Sequence, residues 1–304
     1  MKIRRWLSRY AIFIALALEF VVVSLTTGAF FTEANLGNVL RQNAFTAILA
    51  AGMTFVILTG GIDLSVGSVV GLAGVVCADV LVRGGSVPIA FAAGALVGLV
   101  TGLANGFAVT ALRIPSFLVT LSTMLIVRGA AFKYTDARTI TNLPPAFASL
   151  SSGVAVAAVM GLVFVAAWFV LGRMALGRHV YAVGGNEQAA WLTGIRVHRV
   201  RWFVHGCCGL CAGIAGVLVA SRLSAGYPRA GEYYELDAVA AVVVGGTSLF
   251  GGRGSIWGTL GGAFFIGIVN NALNLFHVST YDQLMVKGGV LLAATSLDRW
   301  REHD

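Results

Sequence analysis

Ten apolar stretches follow one another along this chain, near residues 10–30, 44–60, 65–82, 87–111, 116–134, 152–171, 202–221, 238–250, 256–276 and 282–297. A helix that crosses a bilayer needs about 20 largely apolar residues, with about 17–25 tolerated. Most of the stretches meet that length; 238–250 is short and reads as a half-helix continued by its flanks. Helices satisfy their own peptide groups in hydrocarbon, whereas irregular chain and open sheet edges do not. The succession therefore predicts one fold class: an all-α membrane protein of about ten transmembrane helices, forming a single domain over residues 1–304. Composition agrees. The chain is 58% hydrophobic and 11% charged, where a soluble domain runs near a quarter charged and just under half apolar.

The start, Met1–Tyr10, carries Lys2, Arg4, Arg5 and Arg9 ahead of an apolar run to about Leu25. That run is too long for a signal peptide, and no clear Ala-x-Ala site follows it. It reads as an uncleaved first helix. Lys and Arg in the connections set orientation in a membrane. With the N-terminus inside, thirteen of the 21 fall on the inner side and six on the outer, while Arg128 and Lys287 lie within spans. An even number of spans and this bias both put the two termini in the cytoplasm. The same bias accounts for the net charge of +8. No basic groove with interleaved aromatics appears, so nucleic acid is not an expected partner; membrane lipid is.

Two glycine pairs punctuate the spans. Residues 60–71 read Gly-Gly-Ile-Asp-Leu-Ser-Val-Gly-Ser-Val-Val-Gly, and 245–258 read Gly-Gly-Thr-Ser-Leu-Phe-Gly-Gly-Arg-Gly-Ser-Ile-Trp-Gly. Both follow the frame Gly-Gly-x-x-Leu, then Gly-Ser, two apolar residues and Gly. The shared frame predicts two parallel pseudo-repeats, about 44–134 and 202–297, with helices broken at the glycine pairs. Irregular backbone at membrane depth needs shelter by protein or by a water-filled cavity, and paired breaks point toward a transport path. Gly60, Gly61, Asp63, Gly67, Gly245, Gly246 and Gly254 are the candidate gate residues. Gly94, Gly98, Gly102 and Gly106 recur every fourth residue, and Gly67, Gly71 and Gly74 nearly do. Such stripes bring helix backbones close, within the subunit or between two copies. Cys207, Cys208 and Cys211 lie inside an apolar run without a second ligand pair, and read as small packing residues.

The connection 172–201 is the longest polar stretch placed inside. Asn186 is a good N-cap, Glu187 suits a helix N-terminus and Gly194 is a natural stop, so Glu187–Thr193 is predicted as a helix of about two turns. A helix that short must dock on something. Ala189 and Ala190 give it a small face; Trp191 and Leu192 offer anchors. From Gly177 to Ile195 the chain reads Gly-Arg-x-x-Tyr-Ala-x-Gly-Gly-Asn-x-x-Ala-Ala-x-x-x-Gly-Ile. This resembles the ATPase-coupling loop of monosaccharide ABC importer permeases. Ala51-Gly-Met-Thr-Phe-Val-Ile-Leu-Thr-Gly-Gly-Ile-Asp-Leu-Ser-Val-Gly-Ser68 resembles the most recognisable segment of the same family, as do Tyr234–Ser248 and Asn270–Asn274. The resemblance runs through nearly the whole chain and is nearest to ribose-transport permeases. The segment Asp136–Leu150, with Pro144 and Pro145, departs from it.

The resemblance implies a permease in the bacterial inner membrane that works with a second permease copy or paralogue, two cytoplasmic ATPase subunits and a periplasmic sugar-binding protein. It makes Asn186, Glu187, Ala189, Ala190, Gly194 and Ile195 the candidate ATPase-coupling residues. The residues themselves agree with that division of labour. A P-loop needs Lys after Gly to reach the phosphates, and none of Lys2, Lys133 and Lys287 follows glycine. The chain is thus expected to be a transport subunit and not an enzyme, with no cofactor of its own and ATP–Mg on the partner.

Single ionisable residues carry weaker expectations. Glu19 and Arg128 lie inside spans, where such groups face protein or water and can mark a pathway. Lys287 reads as snorkelling to an interface, and Glu235 and Asp237 as caps of a short helix. His205 and His277 show no partner in the sequence. Two rivals remain at this point: a secondary transporter coupled to H⁺ or Na⁺, for which Glu19 is the only central acid, and a membrane enzyme or scaffold, for which no catalytic constellation is visible.

Overall fold

Each apolar stretch becomes a helix, and polar residues or glycine set its ends. In a computed structural model, which describes residues 2–303 with side chains from 11 to 296, the order is α1 (Lys2–Thr26), α2 (Glu33–Leu58), α3 (Val66–Val82), α4 (Val87–Leu112), α5 (Ser116–Thr135), a 3-10 turn (Pro145–Ser151), α6 (Gly153–Arg173), α7 (Ala175–Gly185), α8 (Glu187–Leu192), α9 (Val197–Leu223), α10 (Tyr234–Val244), α11 (Ile256–Leu275) and α12 (Thr280–His303). Hydroxyls start several of them. Thr32 accepts from the Asn35 N–H and Ser152 from the Ala155 N–H, each satisfying a donor with no helical partner.

Among the described residues six helices are long and apolar enough to cross a membrane: α2, α4, α5, α6, α9 and α11. The apolar part of α1 and the whole of α3 are shorter, and α10 has only 11 residues. The short ones are short for a reason. The chain entering α3 and the chain entering α10 run unwound beside neighbouring helices, so helix covers only part of the depth. In the other direction, α2 begins well before its apolar stretch at residue 44. Asn35, Asn38, Arg41 and Asn43 lower its hydropathy without breaking the helix, and Asn35 and Asn271 exchange side-chain hydrogen bonds across to α11.

The centre is α9, buried along most of its length. The glycine stripe of α4 lies on it. A methyl group at Gly98 would collide with the Gly209 carbonyl, and one at Gly102 with the His205 carbonyl. The expected close packing thus occurs within the subunit. On the other side, α2 crosses α9 antiparallel: Phe45 lies under Arg222 at one end, and Phe55 meets Phe203 edge-on at the other. Cys208 and Cys211 fill the crossing, where Gly52 leaves room for them.

Two expectations are corrected here. The four-helix groups beginning at α2 and α9 are opposite in sense rather than parallel, because their first helices run antiparallel. The two glycine frames also fall at different joints, one between α2 and α3, the other between α10 and α11. The frame repeats a local turn chemistry and does not register the two groups. The connection 172–201, expected to hold one short helix, holds two. Val180 and Val183 are buried one turn apart, and Gly177 lets α7 fold back against the Val170 and Leu171 carbonyls.

The departing segment at 136–152 is packed, not loose. Its Phe147 is buried, and the Ser221 hydroxyl donates to the Phe147 carbonyl at 2.7 Å. Ile140 and Gly226 exchange backbone hydrogen bonds. The bundle therefore has a basic end, where α4 turns into α5 and α7 and α8 lie, and an opposite end carrying 136–152 and 224–233.

Candidate functional site

Gly60 ends α2 by adopting φ of +73°, a conformation that L side chains resist. Residues 61–65 then climb back into the bundle before α3 begins, and the Ile62 and Leu64 N–H groups have no helical partners. Helix α5 supplies them. The Ser116 hydroxyl oxygen accepts from the Ile62 N–H at 3.0 Å, and Thr120 Oγ1 accepts from the Leu64 N–H at 3.1 Å. The Thr120 hydroxyl donates in turn to the Ile62 carbonyl at 3.1 Å. This is how unwound backbone is held at membrane depth.

Asp63 turns toward α4 and α9. Its Oδ1 accepts from the Ser65 N–H at 3.0 Å and the Ser65 hydroxyl at 2.6 Å. Its Oδ2 lies 3.2 Å from His205 Nδ1 and 3.4 Å from Asn105 Nδ2. Asn105 also donates to the Ser65 hydroxyl oxygen at 2.9 Å. Asp63 and His205 are 1% and 2% exposed, so this carboxylate depends on its partners to stay out of water. His205 sits eight residues into α9, about 12 Å along the axis. The cluster is thus well inside the bundle. Below it opens a cavity of about 290 Å³ lined by Gly60, Gly61, Ser116, Arg201 and His205. A second cavity, of about 510 Å³, shares Val109, Pro115 and Arg201 with the first and reaches Arg113, Glu187 and His198.

The second break meets the first. Gly246, Gly251 and Gly252 have positive φ and carry the chain from α10 into α11 through a tight turn. The Gly252 N–H donates to the Leu58 carbonyl at 2.9 Å, which joins the turn to the last residue of α2. The end of α7 fills the remaining side. A methyl group at Gly184 would collide with the Leu58 carbonyl and stand 2.5 Å from the Gly252 nitrogen. The Tyr181 hydroxyl donates to the Gly254 carbonyl at 3.1 Å. Three segments therefore join backbone to backbone at the basic end.

Helix α8 starts one residue beyond. Asn186 caps it, accepting from the Ala189 N–H at 2.8 Å, and Glu187 in its first turn pairs with Arg201 of α9. Gly194 ends it with φ of +86°, and the Ile195 N–H returns to the Ala190 carbonyl at 3.1 Å. Ala190 is the buried face, at 4% exposure, whereas Trp191 and Leu192 are 65% and 73% exposed. Ala189 is also exposed. The six-residue helix thus buries Ala190 and turns an aromatic and a leucine outward.

The other expected site residues are held in varied ways. Gly67 is inside α3, against the Glu235 carboxylate and the Gly231 carbonyl, and not in a break. Gly61 packs on Ser116, Gly245 on the backbone of Gly258, and Gly254 on Thr247. Arg128 donates to the Pro228 and Ala230 carbonyls at 2.8 and 2.9 Å, pinning the unwound chain that enters α10. Glu19 sits on α1, half-buried, with Oε2 buried and without a hydrogen-bond partner, away from both breaks. Lys287 does not snorkel: its Nζ lies 2.9 Å from Asp237 of α10. Asp237 accordingly pairs across helices instead of capping. His205, Asn105, Ser116 and Thr120 were not legible as site residues, because each finds its partner far away along the chain; Ser65 stands beside Asp63 but showed no role until the fold brought Asn105 to it. Tyr181 and Gly184 stood within the recognised 177–195 stretch but carried no visible role.

With this geometry in view, the comparisons decide the family. Residues 35–295 match the family model described as branched-chain amino acid transport system / permease component. The chain belongs to that family. The permease is 42% identical to the ribose import permease protein RbsC of Haemophilus influenzae over 98% of this chain and 95% of that one. It is 45% identical to RbsC of Bacillus subtilis over 94% and 91%, and 38% identical to the D-allose transport system permease protein AlsC of Escherichia coli over 96% and 91%. No solved structure matches the permease. It is a multi-pass membrane protein and a transport subunit.

Proposed function

We propose that the chain is the membrane-spanning permease of an ATP-driven importer for a ribose-like monosaccharide. The observation that carries this reading is the 42–45% identity to ribose import permeases over nearly the full length of both partners. On this reading the chain crosses the bacterial inner membrane ten times, with α1, α3, the half-helix α10 and α12 joining the six long helices, and both termini lie in the cytoplasm. A periplasmic binding protein delivers the sugar at the end carrying 136–152 and 224–233. The sugar passes at the interface with a second permease, a copy or a paralogue. ATP and Mg sit on separate ATPase subunits that grip α8, and the permease holds no cofactor of its own.

Asn186, Glu187, Ala189, Ala190, Gly194 and Ile195 form and hold that grip. Gly60, Gly61, Asp63, Gly245, Gly246 and Gly254 let the spans rearrange around it. Gly67 belongs to the packing of α3 against 231–235, which moves with them. The test is uptake of labelled ribose into proteoliposomes holding the permease, its ATPase and its binding protein. Ala190→Arg would force a charge into the buried face of α8, and Gly194→Pro would demand φ near −65° where +86° is needed. Both variants should insert normally, lose the ATPase on co-purification and abolish uptake. Uptake that persists without ATP hydrolysis, or collapses with an uncoupler at constant ATP, would overturn the reading in favour of ion coupling.

A further inference from the structure

We propose that Tyr181 and Gly184 of α7 are the transmission that couples movement of α8 to both helix breaks at once. The inference rests on the reading of α8 as the ATPase grip and goes beyond it, to how a pull there reaches the spans. Three observations converge. First, Asn186 is at once the C-cap of α7 and the N-cap of α8, so no flexible linker absorbs a displacement between the two. Second, the last turn of α7 is seated on backbone, not on side chains. Gly184 faces the Leu58 carbonyl at the end of α2 and the Gly252 nitrogen of the α10–α11 turn, and a methyl group at Gly251 would stand 3.0 Å from the Gly184 carbonyl oxygen. Third, the Tyr181 hydroxyl ties the same turn of α7 to the Gly254 carbonyl, while the Gly252 N–H bonds the Leu58 carbonyl directly.

Backbone contacts at glycine have no rotamers with which to yield. A packed interface of that kind switches between discrete arrangements instead of deforming smoothly. A shift of α8 therefore carries α7, and α7 carries the end of α2 and the second break together. Tyr181 is a positioning residue: it touches no sugar, and it keeps the second break moving with the first.

The experiment uses the complete complex of permease, ATPase and binding protein in proteoliposomes. It reads three quantities: ATPase retained on co-purification, ATP hydrolysed, and labelled ribose imported per ATP. Tyr181→Phe keeps the ring and removes only the hydroxyl. It should leave retention unchanged and lower sugar per ATP by about two- to tenfold, the worth of one neutral hydrogen bond. Gly184→Ala should lower the same ratio further. Gly185→Ala is the internal control, because a methyl group there meets nothing within 4 Å, and it should behave as wild type. An unchanged ratio in Tyr181→Phe, or equal damage from Gly185→Ala, would overturn the proposal; should Gly184→Ala fail to fold, Tyr181→Phe decides alone. Loss of ATPase retention in the wild-type complex would instead strike the reading of α8.

Discussion

Two of the permease's unwound stretches, the one leading into α3 and the one running beside it, are held in different ways. The stretch 60–65 is held by a network: hydroxyls of Ser116 and Thr120 on its peptide groups, and Ser65, Asn105 and His205 around Asp63. The stretch 226–231 runs beside α3 from Ala78 to Gly67, about 16 Å at the helical rise. Glycines bring it close, and one guanidinium, Arg128, fixes two of its carbonyls. A buried network loses several partners when one member goes, whereas a clamp made by one side chain lets go as a unit. The stretch 226–231 thus hangs on one side chain, whereas 60–65 is held by several.

The sharpest way to break this contrast is at Asp63. Asp63→Ala strands His205, Asn105 and Ser65 in a dry site and should cost about 3–5 kcal/mol, read as a large loss of folded protein in detergent unfolding. A loss below that of the Arg128 variant would erase the distinction. Arg128→Ala removes two charge-assisted hydrogen bonds and should cost about 2–3 kcal/mol. Its signature should be local, with new protease cleavage in 224–233 of reconstituted permease while 60–65 stays protected. Thr120→Val keeps shape but removes the partner of the Leu64 N–H and the Ile62 carbonyl, at about 1 kcal/mol, with faster hydrogen exchange confined to 61–65. The smallest effect is expected at Gly129→Ala, next to Arg128 in α5. No atom lies within 4 Å of the added methyl, so stability should stay level or rise by up to about 1 kcal/mol. Uptake measured beside each tells whether release of 226–231 alone impairs transport.

Much of this was legible along the chain. Hydropathy located the six long apolar helices because each must bury its own peptide groups, and a 20-residue apolar run has few other fates. The α8 helix was legible for a local reason: Asn186, Glu187 and Gly194 are cap chemistry, which acts over three or four residues. The glycine stripe of α4 was legible as a packing face, though not its partner. Sense and pairing were not. The frame at 60–71 and 245–258 invited a parallel repeat, but turn chemistry repeats wherever backbone must bend, whatever the direction of the helices around it. Lys287 looked like a snorkelling cation until α10 placed Asp237 beside it.

By itself, then, the order of residues determined that this chain lives in a membrane, where its long apolar helices lie, and where the short α8 is capped. Tertiary structure alone decided that Asp63 meets His205 from 142 residues away and that two distant breaks share one glycine junction with α7. The reason is range: caps, turns and hydropathy act between near neighbours, while a buried charge or an exposed carbonyl takes whichever partner the folded bundle brings within about 3 Å.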